Sequence, residues 1–192
     1  MTPVPSNRAR EIEAWFRDHE NGEFVVAPSV QPSKLVGDRS TSRTVIYTTK
    51  LPCLLANLSA FDVEHRVLIV ARAGLPIPTD LIHLNDLPVG ANCWFVGDAD
   101  PPCILTFAWL REHVAIGWLG VNDELLNRNP TSDCGRLRIP MSDAEKLTMP
   151  VLANLCPDFR DLLGPHCCQM LDGGFKIELE GAMMHLRSGP VA

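Results

Sequence analysis

The sequence predicts an α/β protein: a Rossmann-like parallel sheet of about four strands with helices on both faces and further helices appended at its C-terminal end. Three observations carry this expectation. Apolar runs of four to seven residues recur from residue 44 onward, the length of strands buried on both faces. Segments with helical spacing separate them, the arrangement that joins parallel strands. At 192 residues and 46% hydrophobic content the chain can bury one sizeable core, and it contains no internal repeat or low-complexity segment.

Taken in order, residues 6–20 read as a short helix. Ser6 can cap it, Ile12, Trp15 and Phe16 share a face, and Asn21-Gly22 ends it. The stretch 28–43 is rich in Ser, Pro and Gly and reads as a loop, so residues 1–43 form an N-terminal helix and loop ahead of the main domain. TVIYT (44–48) then reads as a strand, LPCLLANLSAF (51–61) as a helix, RVLIVA (66–71) as a strand and PTDLIHLND (78–86) as a short helix. NCWFVG (92–97) is the third strand, and VAIGWLG (114–120) the fourth. Between these two, PPCILTFAWLREH (101–113) is a helix with proline in its first turn, where the missing N–H does no harm.

Ser142 and Glu145 form a capping box ahead of an apolar run that Pro150 should kink or end. A second helix is expected over 157–171, irregular at Gly164-Pro165, and a third over 175–187 after Gly173-Gly174. The domain is therefore expected to span 44–187, with 188–192 as a tail.

Seventeen basic against 23 acidic residues give a net charge of −6, which argues against a broad phosphate-tracking surface. Seven cysteines, an odd number with no CxxC pair, argue against a zinc site or a disulfide framework and predict reduced thiols in an intracellular protein. The N-terminus lacks an apolar core of the secretory kind, and nowhere do 18 apolar residues run together. A cytoplasmic location with no membrane partner is the expectation.

The stretch that carries chemistry is WFVGDADPPCILTFAWL, 94–110. Asp98 and Asp100 stand where a predicted strand ends, and in open parallel sheets ligands bind outside the carboxyl ends of the strands. Residues i and i+2 of an extended segment project to one side, which places the carboxylates ~6 Å apart with a repulsion of roughly 3 kcal/mol at an effective dielectric of 20. A hard divalent cation such as Mg²⁺ would remove that repulsion, since it takes one or two carboxylates and keeps waters for phosphate oxygens. Taken alone, the tripeptide reads more simply as two solvated acids, one of them capping the next helix.

In haloacid-dehalogenase phosphatases such a pair is followed by Thr two residues later, where this chain has Pro102. The chain resembles Toprim proteins more closely. VLIVARAGLP (67–76), a short helix and then FVGDADPPCILTFAWLR (95–111) are similar to the Toprim region of the topoisomerase VI A subunit and the Spo11 recombination protein, where a strand ending in a Gly-x-Pro-like turn precedes one ending in Asp-Gly-Asp-Pro. IGWLGVNDELL (116–126) resembles that family's Trp-Leu-Gly segment, and MLDGGFKIELEGAM (170–183) its closing helix with the pattern Gly-x-Lys-x-Glu-x-Glu. The four segments occur in the same order over about 44–186. Toprim nucleases of bacterial plasmid-defence systems share the first two.

The resemblance implies that Asp98 and Asp100 hold Mg²⁺ against a DNA phosphate, with Lys50 adding positive charge. It also exposes two departures. Where the family's first strand ends in Glu-Lys, this chain has Thr49 and Lys50, so the third metal-binding acid is replaced by a hydroxyl; Glu64 would need a different register to help. The family cuts DNA with a tyrosine on a preceding winged-helix domain, whereas the one tyrosine here, Tyr47, lies inside a predicted strand as a packing residue.

The expectation is thus a stand-alone, divergent Toprim domain acting on DNA, with a partner chain supplying the winged-helix, ATPase or cleaving function and dimerisation left open. Two alternatives stand beside it: a non-catalytic interaction module that kept the fold, and a metal-dependent phosphatase or nuclease of small substrates. Lys146, Arg160 and Lys176 on the C-terminal helices could touch phosphates but read more simply as solvated faces; Arg136 and Arg138 alternate along a short strand and fit one edge of a DNA path or an exposed strand face equally; His166-Cys167-Cys168 reads as structural.

Overall fold

The computed structural model describes residues 6–19, 33–61, 66–85, 87, 90–129 and 134–187. Its centre is a five-stranded, mostly parallel sheet. Strands β2 (Thr44–Thr48), β3 (Val67–Ala71), β4 (Asn92–Val96) and β5 (Gly117–Trp118) run parallel, and β1 (Lys34–Val36) adds antiparallel to β3, giving the order β1-β3-β2-β4-β5. All five residues of β2 are buried, as an apolar run at the middle of a covered sheet requires.

Register decides where the loops emerge. Thr44 pairs with both Val67 and Asn92, so β2, β3 and β4 end in line at Thr48, Ala71 and Val96. The residues immediately after these strand ends, Thr49-Lys50, Arg72 and Gly97-Asp98, therefore leave from one rim. Chain order reverses between β2 and β4, because β3 lies on one side of β2 and β5 beyond β4. That reversal is the topological switch point at which open α/β sheets bind ligands.

The helices are α1 (Asn7–His19), α2 (Leu51–Ala56), α3 (Asp80–Asn85), α4 (Pro101–Arg111), α5 (Asp123–Leu126), α6 (Asp143–Leu155), α7 (Phe159–Leu163), α8 (Pro165–Asp172) and α9 (Leu179–Arg187). The right-handed rule for parallel crossovers puts α2 and α4 on opposite faces. α4 packs against α1 and α6, and α2 against α9. Nine of the eleven α4 residues are buried, so this helix is apolar nearly all round. The Trp109 indole N–H donates to Glu13 Oε1 at 3.0 Å and fastens α1 to α4.

Several sequence expectations change. Part of the expected loop over 28–43 is the edge strand β1, formed by pairing to β3 rather than by local propensity. The expected helix over 51–61 breaks after Ala56 and resumes as a 3-10 turn at Leu58–Ala60. Pro150 does not end its helix. It sits inside α6 on the exposed side, where water can take the Lys146 carbonyl that it leaves without a donor. The capping box is present: Glu145 N donates to Ser142 Oγ at 3.2 Å and Ser142 N to Glu145 Oε2 at 2.7 Å.

The helix expected over 175–187 is instead strand β7 (Phe175–Ile177) followed by α9. β7 pairs antiparallel with β6 (Arg138–Pro140), which follows a 3-10 turn at Cys134–Leu137. Arg136 and Arg138 therefore do not alternate along one strand, since Arg136 belongs to the turn. The Asn21-Gly22 stop, Glu64 and the tail at 188–192 lie outside the described residues.

Tyr47 is fully buried and stacks on Phe95 with centroids 6.1 Å apart. Its hydroxyl donates to Asp80 Oδ2 at 3.0 Å. Arg72 grips the same carboxylate through Nε and through Nη2 at 2.6 Å, while Ser33 Oγ and the Ile77 amide also donate to it. Burial works against the Asp80 carboxylate, yet Arg72, Ser33 and the Ile77 amide hold its pKa below the usual range. Burial, reinforced by Asp80, pushes the Tyr47 phenol well above its usual value. This network ties β2, β3 and α3 together and commits Tyr47 to structure.

Asp80→Ala should cost about 3–5 kcal/mol in denaturant unfolding, because the buried Arg72 guanidinium would lose its carboxylate counter-charge. Since folding depresses the Asp80 pKa, its contribution is present above the unfolded value near 3.9 and is lost as pH falls. Wild-type stability should therefore decline below about pH 4, and Asp80→Asn should show a flatter decline in the same acid titration.

Candidate metal centre

Asp98 and Asp100 come directly after β4 at the switch point and flank Ala99, which is pinned from the far end of the chain. Ala99 N donates to Ile177 O at 2.9 Å and Ile177 N to Ala99 O at 3.4 Å, an isolated antiparallel bridge to β7. Holding the middle residue extended turns both carboxylates to one side. They are 3% and 6% exposed, so neither is a solvated surface acid.

Each carboxylate has a dedicated support. Asp98 Oδ1 accepts the Leu179 amide at 2.8 Å, and Lys50 Nζ stands 3.0 Å from Oδ2. Lys50 Nζ also donates to Glu180 Oε2 at 3.2 Å. Asp100 is the N-cap of α4, its Oδ1 accepting the Cys103 amide at 2.8 Å. Pro101 and Pro102 fill the first helical positions, where no N–H is needed. The α4 dipole favours the Asp100 anion, and no described lysine or arginine forms an ion pair with it.

Oxygens of the two aspartates and the Cys103 sulfur lie within 4.8 Å of one another. At that separation two carboxylate charges repel by about 3.5 kcal/mol at an effective dielectric of 20. Burial first, and then Asp100, pushes the Asp98 carboxyl up to about 7 against the pull of Lys50. Burial likewise raises Asp100, opposed by the Cys103 amide. Although burial disfavours the Lys50 charge, Asp98 and Glu180 more than restore it and raise its pKa.

A cleft of about 240 Å³ opens over these groups, lined also by Thr49, Glu145, Lys176 and Glu178. Lys176 Nζ donates to Glu145 Oε1 at 2.7 Å and lies 3.9 Å from Glu178. With Glu180, five carboxylates face two ammonium groups, leaving three formal negative charges. Two buried like charges in a cation-poor cleft suit a divalent ion. Its oxygen ligands at about 2.0–2.6 Å would bring carboxylate oxygens to roughly 3–4 Å, a short adjustment from their present spacing. The buried Asp98-Asp100-Cys103 cluster could thus hold a metal ion.

Of the residues singled out in the sequence, Lys50, Asp98, Asp100 and Thr49 come together at this rim. Sequence reasoning missed Cys103, Glu145, Glu178 and Glu180, and it misplaced Lys176, which joins the cleft instead of facing solvent. The doublet of acids in Gly-x-Lys-x-Glu-x-Glu was the one signal for two of them. Lys146 and Arg160 do lie on exposed faces, paired with Asp143 at 3.5 Å and Asp172 at 2.8 Å. Cys167 and Cys168 are buried in α8, whose His166 and Cys167 amides donate to Asp123 at 2.8 Å. No helix among the described residues is long and apolar enough to cross a membrane.

The Trp-Leu-Gly segment also touches the centre. Val121 N donates to Gly97 O at 3.0 Å, and a Cβ on Gly120 would lie 2.6 Å from the Gly97 carbonyl oxygen and 2.8 Å from its nitrogen. Only glycine permits this approach to the backbone that launches Asp98. No family model and no curated protein sequence matches the chain.

Gly120→Ala must push the residue 97 backbone aside. It should cost about 1–3 kcal/mol in chemical unfolding and weaken divalent-ion binding in calorimetry, whereas Gly181→Ala, whose Cβ would make an ordinary contact with the Leu137 side chain at 3.9 Å, should leave ion binding unchanged.

Proposed function

We propose that this chain carries a divergent Toprim-type domain related to the topoisomerase VI A/Spo11 DNA-cleaving subunit, and that it binds or processes DNA in a Mg²⁺-dependent way with a partner chain. The observation that carries the reading is the convergence of buried Asp98 and Asp100 at the switch point, with Lys50 on the same rim. The closing Gly-x-Lys-x-Glu-x-Glu segment supports it by packing against the aspartates through Ala99 and Leu179.

In this reading Asp98 and Asp100 hold the ion, which when bound polarises a phosphate oxygen and neutralises charge developing on it. Lys50 leaves Asp98 for the phosphate while remaining within reach of Glu180. Lys176, held by Glu145, stands across the cleft and orients the nucleic-acid backbone. The buried Tyr47 takes no part, so a strand-cleaving nucleophile belongs to the partner chain. The cleft's negative balance has a direct consequence: a bound divalent cation removes two of its three formal negative charges, so DNA approaches this rim more readily with the cation than without it.

A catalytically degenerate interaction module is the second reading, favoured by one contact. Lys50 already lies 3.0 Å from Asp98 and partly does a cation's work.

Millimolar Mg²⁺ or Mn²⁺ should raise the unfolding free energy, by about 2.7 kcal/mol at a hundredfold excess over the dissociation constant. The Asp98→Asn/Asp100→Asn double variant should be folded and lose that response. Anisotropy of a labelled DNA duplex should rise with the cation and collapse on chelation. Cation-independent stability and no DNA binding at millimolar metal would establish the degenerate module instead.

A further inference from the structure

Asp98 and Asp100 are the hard half of the cluster; the third member is a sulfur. Cys103 occupies the first turn of α4, three residues after Asp100, so both project to the same side of the turn. Its Sγ lines the cleft, lies within 4.8 Å of both carboxylates and has the Thr49 hydroxyl at 3.7 Å. Among the described residues no other group of three metal-ligating side chains converges in this way. Independently, Asp100 is 94% buried, as its 6% exposure implies, and lines the cleft with the Cys103 amide as hydrogen-bond donor and with Lys176 acting on it from beyond ion-pair distance. Lys50 is seated on Asp98, and Lys176 is held by Glu145 and Glu178, so no described ammonium group lies in ion-pair contact with Asp100.

We propose that Cys103 is the third ligand of this centre and lets it take a borderline transition-metal ion of the Zn²⁺ or Co²⁺ type more tightly than the Mg²⁺ that the two aspartates hold by themselves; this rests on the two-aspartate reading of the site. Magnesium takes oxygen ligands and gains nothing from sulfur, whereas thiolate draws zinc and cobalt. Two carboxylates and one thiolate leave a fourth tetrahedral position open to the cleft, the pattern of a catalytic rather than a structural site. The Thr49 hydroxyl beside the sulfur leaves room for the ion where a longer acidic side chain would compete. On binding, the Cys103 S–H bond breaks and its electron pair forms the S–metal bond. The proton leaves to water through the cleft, so the step requires no oxidant or reductant. Burial, then Asp100 and Asp98, push the Cys103 thiol well above its usual pKa, so the thiolate forms with the ion and not ahead of it.

The test is a Co²⁺ titration of the intact chain followed by absorption. A near-ultraviolet thiolate-to-cobalt charge-transfer band should grow to one equivalent, and Zn²⁺ should erase it by competition while Mg²⁺ at a hundredfold higher concentration does not. Cys103→Ser should abolish the band, weaken Zn²⁺ binding at least about tenfold and leave Mg²⁺ stabilisation in place. X-ray absorption of the zinc-loaded wild type should show one sulfur scatterer near 2.3 Å, a readout independent of any variant's folding. Zinc or cobalt bound with oxygen and nitrogen scatterers alone would overturn the proposal. So would a charge-transfer band that survives in Asp98→Asn/Asp100→Asn. If Mg²⁺ binds but Co²⁺ produces no band, the thiolate inference fails while the two-aspartate centre stands; if no divalent cation binds, both fall.

Discussion

Two like charges buried side by side at the rim of a parallel sheet are the constraint around which this chain is arranged. Asp98 and Asp100 would be costly there without support, since a buried carboxylate must be hydrogen-bonded or paired. The chain supplies a lysine from the end of β2, the amide of Leu179 from the start of α9 and the first turn of α4. Each support comes from a different part of the sequence, which is why the C-terminal third cannot be separated from the sheet. The repulsion that remains is the physical reason for reading the cleft as a cation site.

The same constraint accounts for the neighbouring backbone. Ala99 is held extended by Ile177, and Gly97 is approached by Gly120 more closely than any side chain would allow. The Asp-Ala-Asp segment is therefore clamped from two directions, by β7 and by the Trp-Leu-Gly segment. A site built this way is preorganised: its carboxylates keep their positions before a ligand arrives, and the lysine side chain is the part that must move. The buried Tyr47-Asp80-Arg72 network fixes the adjacent part of the rim and keeps the single tyrosine away from chemistry.

Much of this was legible in the sequence, and the failures are physically specific. The four parallel strands could be read because each is a local apolar run, and α4 because its capping aspartate and two prolines announce its start. β1 and β7 could not, since Lys34–Val36 and Phe175–Ile177 become strands only by pairing with residues far along the chain. Pro150, expected to kink or end its helix, does not end it, because α6 runs on to Leu155 with the orphaned carbonyl on the solvent side. Asp98, Asp100 and Lys50 were found as site residues from strand-end placement and resemblance. Cys103 was passed over as one of seven ordinary cysteines, and Lys176 as an isolated charge, because only tertiary structure brings them to the cleft.

A cation shared by Asp98 and Asp100 is the central claim. Crystals grown with Mn²⁺ and measured at the manganese absorption edge test it most directly. A shared ion predicts one strong anomalous peak bridging the two aspartates, with the Lys50 ammonium withdrawn from Asp98. A difference map with Lys50 still seated on Asp98 and no anomalous density between the carboxylates would contradict it.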